Sequence, residues 1–166
     1  MPISLVLVRH APAGDPDVEK YPDDKERPLT DTGIRKFKKA AAGMKNIVKP
    51  DTVVAAPAAR TLQTADLLTW DADWPAATAN ELLEDGHEPE DVLDMVRRMP
   101  GKPRTVGIVG HGDNLSTLAS HLVGGEKPLE FEKGAAAQID MPKRSMEPGT
   151  GTLKWAMRRK ELKAHR

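Results

Sequence analysis

Ile3-Ser4-Leu5-Val6-Leu7-Val8-Arg9-His10 is the stretch that decides the fold. From Ile3 to Val8 the residues are, Ser4 apart, apolar and rich in β-branched types, with no regular polar alternation. A strand with one wet face alternates, whereas a strand covered by helices on both faces does not, so this run reads as a buried strand of a parallel sheet. The run stops abruptly at Arg9-His10, two polar residues at the exit of a buried strand. In open α/β sheets that exit is where ligands bind.

Outward from this strand, the chain alternates between strand and helix signals. Residues 12–27 are rich in Pro, Asp and Gly and read as a loop. Thr30 or Asp31 can cap a helix that gathers Ile34, Phe37, Ala41 and Met44 on one face. Thr52 to Ala55 is a second strand, and Pro57 opens a helix carrying Leu62, Ala65 and Leu68. Residues 71–79, with Trp74-Pro75, read as loop. Pro89-Glu90-Asp91 then starts a helix that ends in Arg97 and Arg98 before Pro100-Gly101. Thr105 to Val109 is a third strand. The helix after it carries Leu115, Leu118, Ala119, Leu122 and Val123, with Asn114 as its cap and Gly124 as its terminator. Two alternating runs, Ala137-Ile139-Met141 and Leu153-Trp155-Met157, flank Pro148-Gly149 and predict a β-pair. The expected class is α/β, a three-layer α/β/α sandwich with a mainly parallel central sheet. One domain is expected over residues 1–157, followed by a basic tail over 158–166 (Arg158, Arg159, Lys160, Lys163, Arg166) that reads as a solvated end.

Composition narrows the functions. With 166 residues the chain can bury a full core, and 39% hydrophobic and 30% charged residues are ordinary for a folded domain. Lys+Arg and Asp+Glu number 25 each, which argues against a general nucleic-acid binder. The absence of cysteine rules out disulfides, thiolate catalysis and Cys-ligated metals. Neither a signal peptide nor a membrane span is expected, which makes the cytoplasm the default location.

Three strand exits carry unusual residues: Arg9-His10 after the first, Arg60 in the helix after the second, and Gly110-His111-Gly112 after the third. Two arginines and two histidines would converge beside helix N-termini, which themselves favour anions. Arginine offers a fixed fork to phosphate oxygens. A histidine attacks phosphorus only through an unprotonated nitrogen, and nearby guanidinium charge favours that state. The cluster therefore suits phosphoryl transfer with no metal and no cofactor, the arginines supplying the charge that Mg²⁺ supplies elsewhere. The five histidines lack the spacing and carboxylate partners of a metal site.

Leu7-Val8-Arg9-His10-Ala11 resembles the Arg-His-Gly signature of the histidine phosphatase superfamily, with Ala in place of Gly. Ala56-Pro57-Ala58-Ala59-Arg60-Thr61-Leu62-Gln63-Thr64 is similar to its Ser-Pro-x-x-Arg-x-x-Gln-Thr segment, and Val109-Gly110-His111-Gly112 to its late Gly-His motif. Arg27-Pro28-Leu29-Thr30-Asp31-Thr32-Gly33 resembles a segment of the small SixA-type phosphohistidine phosphatases. The resemblance implies a phosphoglycerate mutase-like fold. It implies His10 as a nucleophile that is transiently phosphorylated, Arg9 and Arg60 as phosphate clamps, His111 as a donor to the transition state, and Arg27 as a substrate-positioning residue. Ala56 lacks the hydroxyl usual before Pro57, so phosphate binding is expected to be weaker. Ester-cleaving members place an acidic residue between the second and third motifs. Within Glu81-Leu82-Leu83-Glu84-Asp85-Gly86-His87 several residues are candidates for that general acid, and Glu81 aligns best.

The implied activity is metal-independent dephosphorylation of phosphohistidine on a signalling protein, with no nucleic-acid or membrane partner. Cleavage of small phosphate esters is the first alternative, and a non-catalytic phosphate-binding module the second. His10 speaks against the binding module, because a binder needs charge but no nucleophile; the two phosphatase readings share the same core residues.

Overall fold

β1 (Ile3–Arg9) is an interior strand, as its apolar run from Leu5 to Val8 leads one to expect. It pairs in parallel with β4 (Thr105–Gly110) on one side and antiparallel with β5 (Ala136–Met141) on the other. The structure is a computed structural model and describes residues 1–125 and 127–166. The remaining strands are β2 (Thr52–Ala55), β3 (Thr78–Ala79) and β6 (Thr152–Met157). Among the described residues they form one six-stranded sheet of order β3-β2-β4-β1-β5-β6. The pairs β3·β2, β2·β4 and β4·β1 are parallel, and β5 runs against both β1 and β6. The expected mainly parallel α/β sheet is the observed one.

Successive side chains of a strand point to opposite faces, and each face here has its own core. Leu5, Leu7, Val106, Ile108 and Ile139 pack on one side with Leu93 and Val96 of α3 (Pro89–Arg97) and Leu118 and Leu122 of α4 (Gly112–Val123). Val6, Val8, Val53 and Val109 pack on the other with Phe37 and Met44 of α1 (Asp31–Met44) and Leu68 of α2 (Ala59–Ala72). Thr30 caps α1 by accepting from the Gly33 N–H at 2.9 Å.

Three expectations change. Residues 71–79 are not all loop: α2 runs to Ala72, and Thr78-Ala79 pairs as a short parallel edge strand. Asn114 does not cap α4; the cap position is His111, and the Asn114 amide donates instead to Leu83 O (3.2 Å) and Asp85 Oδ1 (3.1 Å). The basic C-terminal segment is not a solvated end. It forms α5 (Arg159–Lys163), whose Leu162 is fully buried among the residues around α1. The two backbones meet so closely that a Cβ on Gly43 would lie 1.8 Å from Leu162 O. The Asn46 amide adds a bond to His165 O at 2.8 Å. A charge count along the sequence sees a basic excess in this segment, whereas a single buried leucine decides its packing.

Candidate active site

The parallel register of β1 and β4 sets Arg9 opposite Gly110, so the next residues, His10 and His111, emerge side by side. Their ring centroids are 5.9 Å apart at an interplanar angle of 69°. Arg60 projects from the first turn of α2 after β2, the strand on the far side of β4. With Arg27 and Lys133 these side chains line one cleft of about 560 Å³ at the carboxyl edge of the sheet.

His10 is 6% exposed. Its Nδ1 lies 2.7 Å from the Ala11 carbonyl oxygen. A carbonyl oxygen only accepts, so Nδ1 carries the hydrogen and the neutral ring keeps its lone pair on Nε2. Burial pushes the His10 pKa down to about 4; the Ala11 bond opposes this, while Arg9, Arg60 and His111 add to it. At neutral pH the ring is therefore unprotonated, with Nε2 as its free nitrogen.

The arginines are held from behind. Arg9 Nη1 donates to Phe131 O at 2.7 Å, and a Cβ on Gly112 would lie 2.9 Å from Arg9 Nε, so the glycine after His111 makes room for the guanidinium. Arg60 Nη1 donates to Asp24 O (3.0 Å), and Nη2 pairs with Asp24 Oδ2 (3.2 Å). The other Asp24 oxygen takes Arg27 Nε at 2.9 Å, and Arg27 Nη1 also donates to Gly14 O. Asp24 thus links the loop over residues 12–27 to both arginines, and the Arg27 bond foremost holds its carboxyl below the usual range. Arg9 Nε and Arg60 Nε are buried with no hydrogen-bond partner among the described residues. Both unpaired donors belong to arginines that line the cleft, and a buried donor without a partner is a cost that a bound oxyanion can offset.

The rest of the motifs brace this arrangement. Thr64 Oγ1 accepts from the Ala11 N–H (2.9 Å) and donates to Arg60 O (2.7 Å), tying the His10 loop to the Arg60 helix. Gln63 Oε1 accepts from the Leu29 N–H at 2.8 Å. A Cβ on Gly33 would sit 2.1 Å from Pro12 O, so this glycine lets α1 start directly beneath the loop.

The structure redistributes the acidic candidates. Glu81 is exposed at the start of a 3-10 turn, Glu81–Leu83, and does not line the cleft. Glu84, at the end of that turn, lines it, and its Oε2 lies 3.1 Å from His111 Nε2, within hydrogen-bond distance. One 3-10 turn carries the chain from one residue to the other, and no periodicity marks which glutamate faces inward. Burial lowers the His111 pKa, and Glu84 works against that shift. Ala56 is not at the cleft either. It is fully buried in the α3/α4 core, so its missing hydroxyl is lost from packing and not from the anion site. Sequence reasoning missed Asp24 altogether, since it lies in an aperiodic loop with no local signal. His87, His121 and His165 are outside the cleft, His121 pairing with Glu90 at 2.9 Å.

The sequence profile of the histidine phosphatase superfamily (branch 1) matches residues 5–92, just over half of the chain. The chain belongs to this superfamily. Among solved structures, this superfamily member is similar to the protein histidine phosphatase SixA complexed with tungstate, at a TM-score of 0.83 and 23% identity. That likeness covers 96% of this chain and 99% of the other. A protein assigned as a SixA phosphohistidine phosphatase in Nakamurella multipartitia gives 0.73 at 23% identity, over 95% and 96% of the chains. A mycobacterial glucosyl-3-phosphoglycerate phosphatase gives 0.67 at 14%, over 93% and 98%. No curated protein matches the sequence. The histidine phosphatase fold, phosphoglycerate mutase-like in its sheet, is therefore the fold of this chain, and the family makes it a phosphatase.

Proposed function

We propose that this phosphatase removes phosphate from phosphohistidine on a signalling protein, such as a component of a phosphorelay. The substrate ring takes a proton from solvent on its other nitrogen, His10 Nε2 attacks phosphorus, the P–N bond of the substrate breaks, and its electron pair stays on the ring, which departs as neutral imidazole. Water then attacks phospho-His10, its P–N bond breaks, and inorganic phosphate leaves while the lone pair returns to Nε2. Arg9 and Arg60 hold the equatorial oxygens throughout. His111, once protonated beside the arriving dianion, donates from Nδ1, and Arg27 positions the substrate.

The observation that carries the substrate class is the position of Glu84. Its Oε2 is tied to His111 Nε2 at 3.1 Å, so the one glutamate that reaches the cleft is committed to the second histidine and is not free to meet a leaving group. An alkoxide leaving group has a conjugate-acid pKa of roughly 15, near that of water, and must be protonated as it leaves. An imidazole, with a conjugate-acid pKa of about 6.5, needs little help. Phosphohistidine fits this site better than an alkyl ester.

Cleavage of small esters stays the second reading because Glu84, unlike Glu81, does reach the cleft. The test compares kcat/KM for a phosphohistidine peptide and an alkyl phosphate in wild type and Glu84→Gln. Phosphohistidine turnover should barely change, while ester turnover should drop by about a hundredfold. Faster turnover of esters than of phosphohistidine by the wild type would hand the site to the second reading. Among the described residues no helix is long and apolar enough to cross a membrane, and the reading keeps the cytoplasmic location expected from sequence.

A further inference from the structure

The C-terminal segment that sequence reading left in solvent creates a surface when it packs. Arg35, Lys36 and Lys39 of α1 face Arg159, Lys160, Lys163 and Arg166 of the α5 segment across a concavity of about 730 Å³. Both elements present their cations at the same spacing of i, i+1 and i+4, which puts each trio along one helix edge. Ala164 is the one uncharged residue lining the concavity, and no acidic side chain lines it. None of the seven cations is in a salt bridge among the described residues, although acidic and basic residues balance over the whole chain. Positive charge concentrated this way on a neutral protein calls for an anionic partner.

The concavity is joined to the catalytic edge by a short path. Gly134, next to the cleft residue Lys133, donates its N–H to His10 O at 2.9 Å. The Arg159 side chain lies over Gly134: a Cβ there would be 3.2–3.3 Å from its Cβ, Cγ and Cδ atoms. Arg159 therefore packs on the glycine that is hydrogen-bonded to the His10 backbone and also lines the basic concavity.

We infer that the α1/α5 concavity docks an acidic face of the protein whose phosphorylated side chain enters the cleft. This rests on the reading of the substrate as a phosphoprotein. A membrane surface fits less well, because the large exposed apolar residues, Met1, Val18, Trp70 and Leu153, all lie outside the concavity and none can insert there. A single-stranded nucleic acid fits less well, because no aromatic side chain lines the concavity to stack a base.

The test uses four synthetic peptides: phosphohistidine or phosphoserine, each flanked by Asp/Glu or by Gly/Ser. They are turned over by wild type, by Lys36→Glu/Lys160→Glu and by Lys36→Ala/Lys160→Ala, with p-nitrophenyl phosphate as a small control. Acidic flanks should raise wild-type kcat/KM by about tenfold at low salt, in the range of electrostatic steering. Because the Debye length falls to about 8 Å at physiological ionic strength, the advantage should shrink as salt is added. The alanine pair should reduce it and the glutamate pair abolish it, with p-nitrophenyl phosphate turnover unchanged in both, since the exposed lysines stand outside the cleft. The docking inference reads only the ratio of acidic to neutral flanks, on whichever phosphoamino acid is cleaved. The ratio of phosphohistidine to phosphoserine reads the substrate assignment separately. A flank ratio near one, or one that survives the glutamate pair, overturns the inference. So does tighter binding of poly(U) RNA, or of vesicles containing phosphatidylserine, that the same two substitutions abolish.

Discussion

His10 combines burial, a carbonyl acceptor on Nδ1 and two guanidinium neighbours, and each consequence can be measured. His10→Ala should abolish turnover with the fold retained. Base-quenched wild type should hold ³²P label that acid-quenched enzyme has lost, because a phosphoramidate is acid-labile; substantial turnover by the alanine variant would refute covalent catalysis. The pKa near 4 also has a sign for stability. Between pH 6.5 and 4 the unfolded chain protonates this histidine while the folded one does not, so the unfolded state binds more protons. The stability gained by keeping His10 neutral is thus full above pH 6.5 and is lost as pH falls toward 4. Its slope is at most about 1.4 kcal/mol per pH unit. Urea unfolding of wild type and His10→Gln across that window should show a shallower slope in the variant. Equal slopes would mean that His10 is not held neutral in the fold.

At the scale of elements, α5 shows how a backbone contact outweighs a propensity. Replacing a helical glycine by alanine ordinarily stabilises by roughly 1 kcal/mol. At Gly43 the new methyl would meet Leu162 O at 1.8 Å, so α5 must move away from α1. Gly43→Ala should therefore be net destabilising by roughly 1–3 kcal/mol, the usual cost of overpacking. Leu162→Ala should cost about 2–5 kcal/mol, as expected for a fully buried leucine. Urea unfolding gives both values, and trypsin should release the C-terminal segment from either variant sooner than from wild type. A Gly43→Ala protein as stable as wild type would show that α5 does not pack as described.

At the scale of the whole molecule, one edge of the sheet gathers Arg9, Arg27, Arg60 and Lys133 around His10. In the proposed mechanism that charge takes the place of the divalent cation of other phosphoryl-transfer enzymes. EDTA should therefore leave the rate unchanged. A loss reversed by Mg²⁺ or Zn²⁺ would mean that the arginines do not suffice.

The sequence by itself determined the sheet and the centre of the site. The apolar run of β1 could be buried only as an interior strand, and strand exits in a parallel sheet share one edge, so Arg9, His10, Arg60 and His111 had to be neighbours. These are local signals acting through a repeating geometry. Only the tertiary structure decided which glutamate reaches the cleft, that Asp24 bridges Arg27 and Arg60, and that the basic C-terminal segment folds back to face Arg35, Lys36 and Lys39. Each depends on contacts between residues far apart in sequence or on the direction taken by a single turn. Glu81 and Glu84 sit in the same acidic stretch, yet one turn of 3-10 helix exposes the first and sets the second against His111. In the same way a single apolar residue, Leu162, anchors a segment otherwise dominated by charge, because burying one leucine is favourable while Lys160 stays exposed and Lys163 is only half-buried.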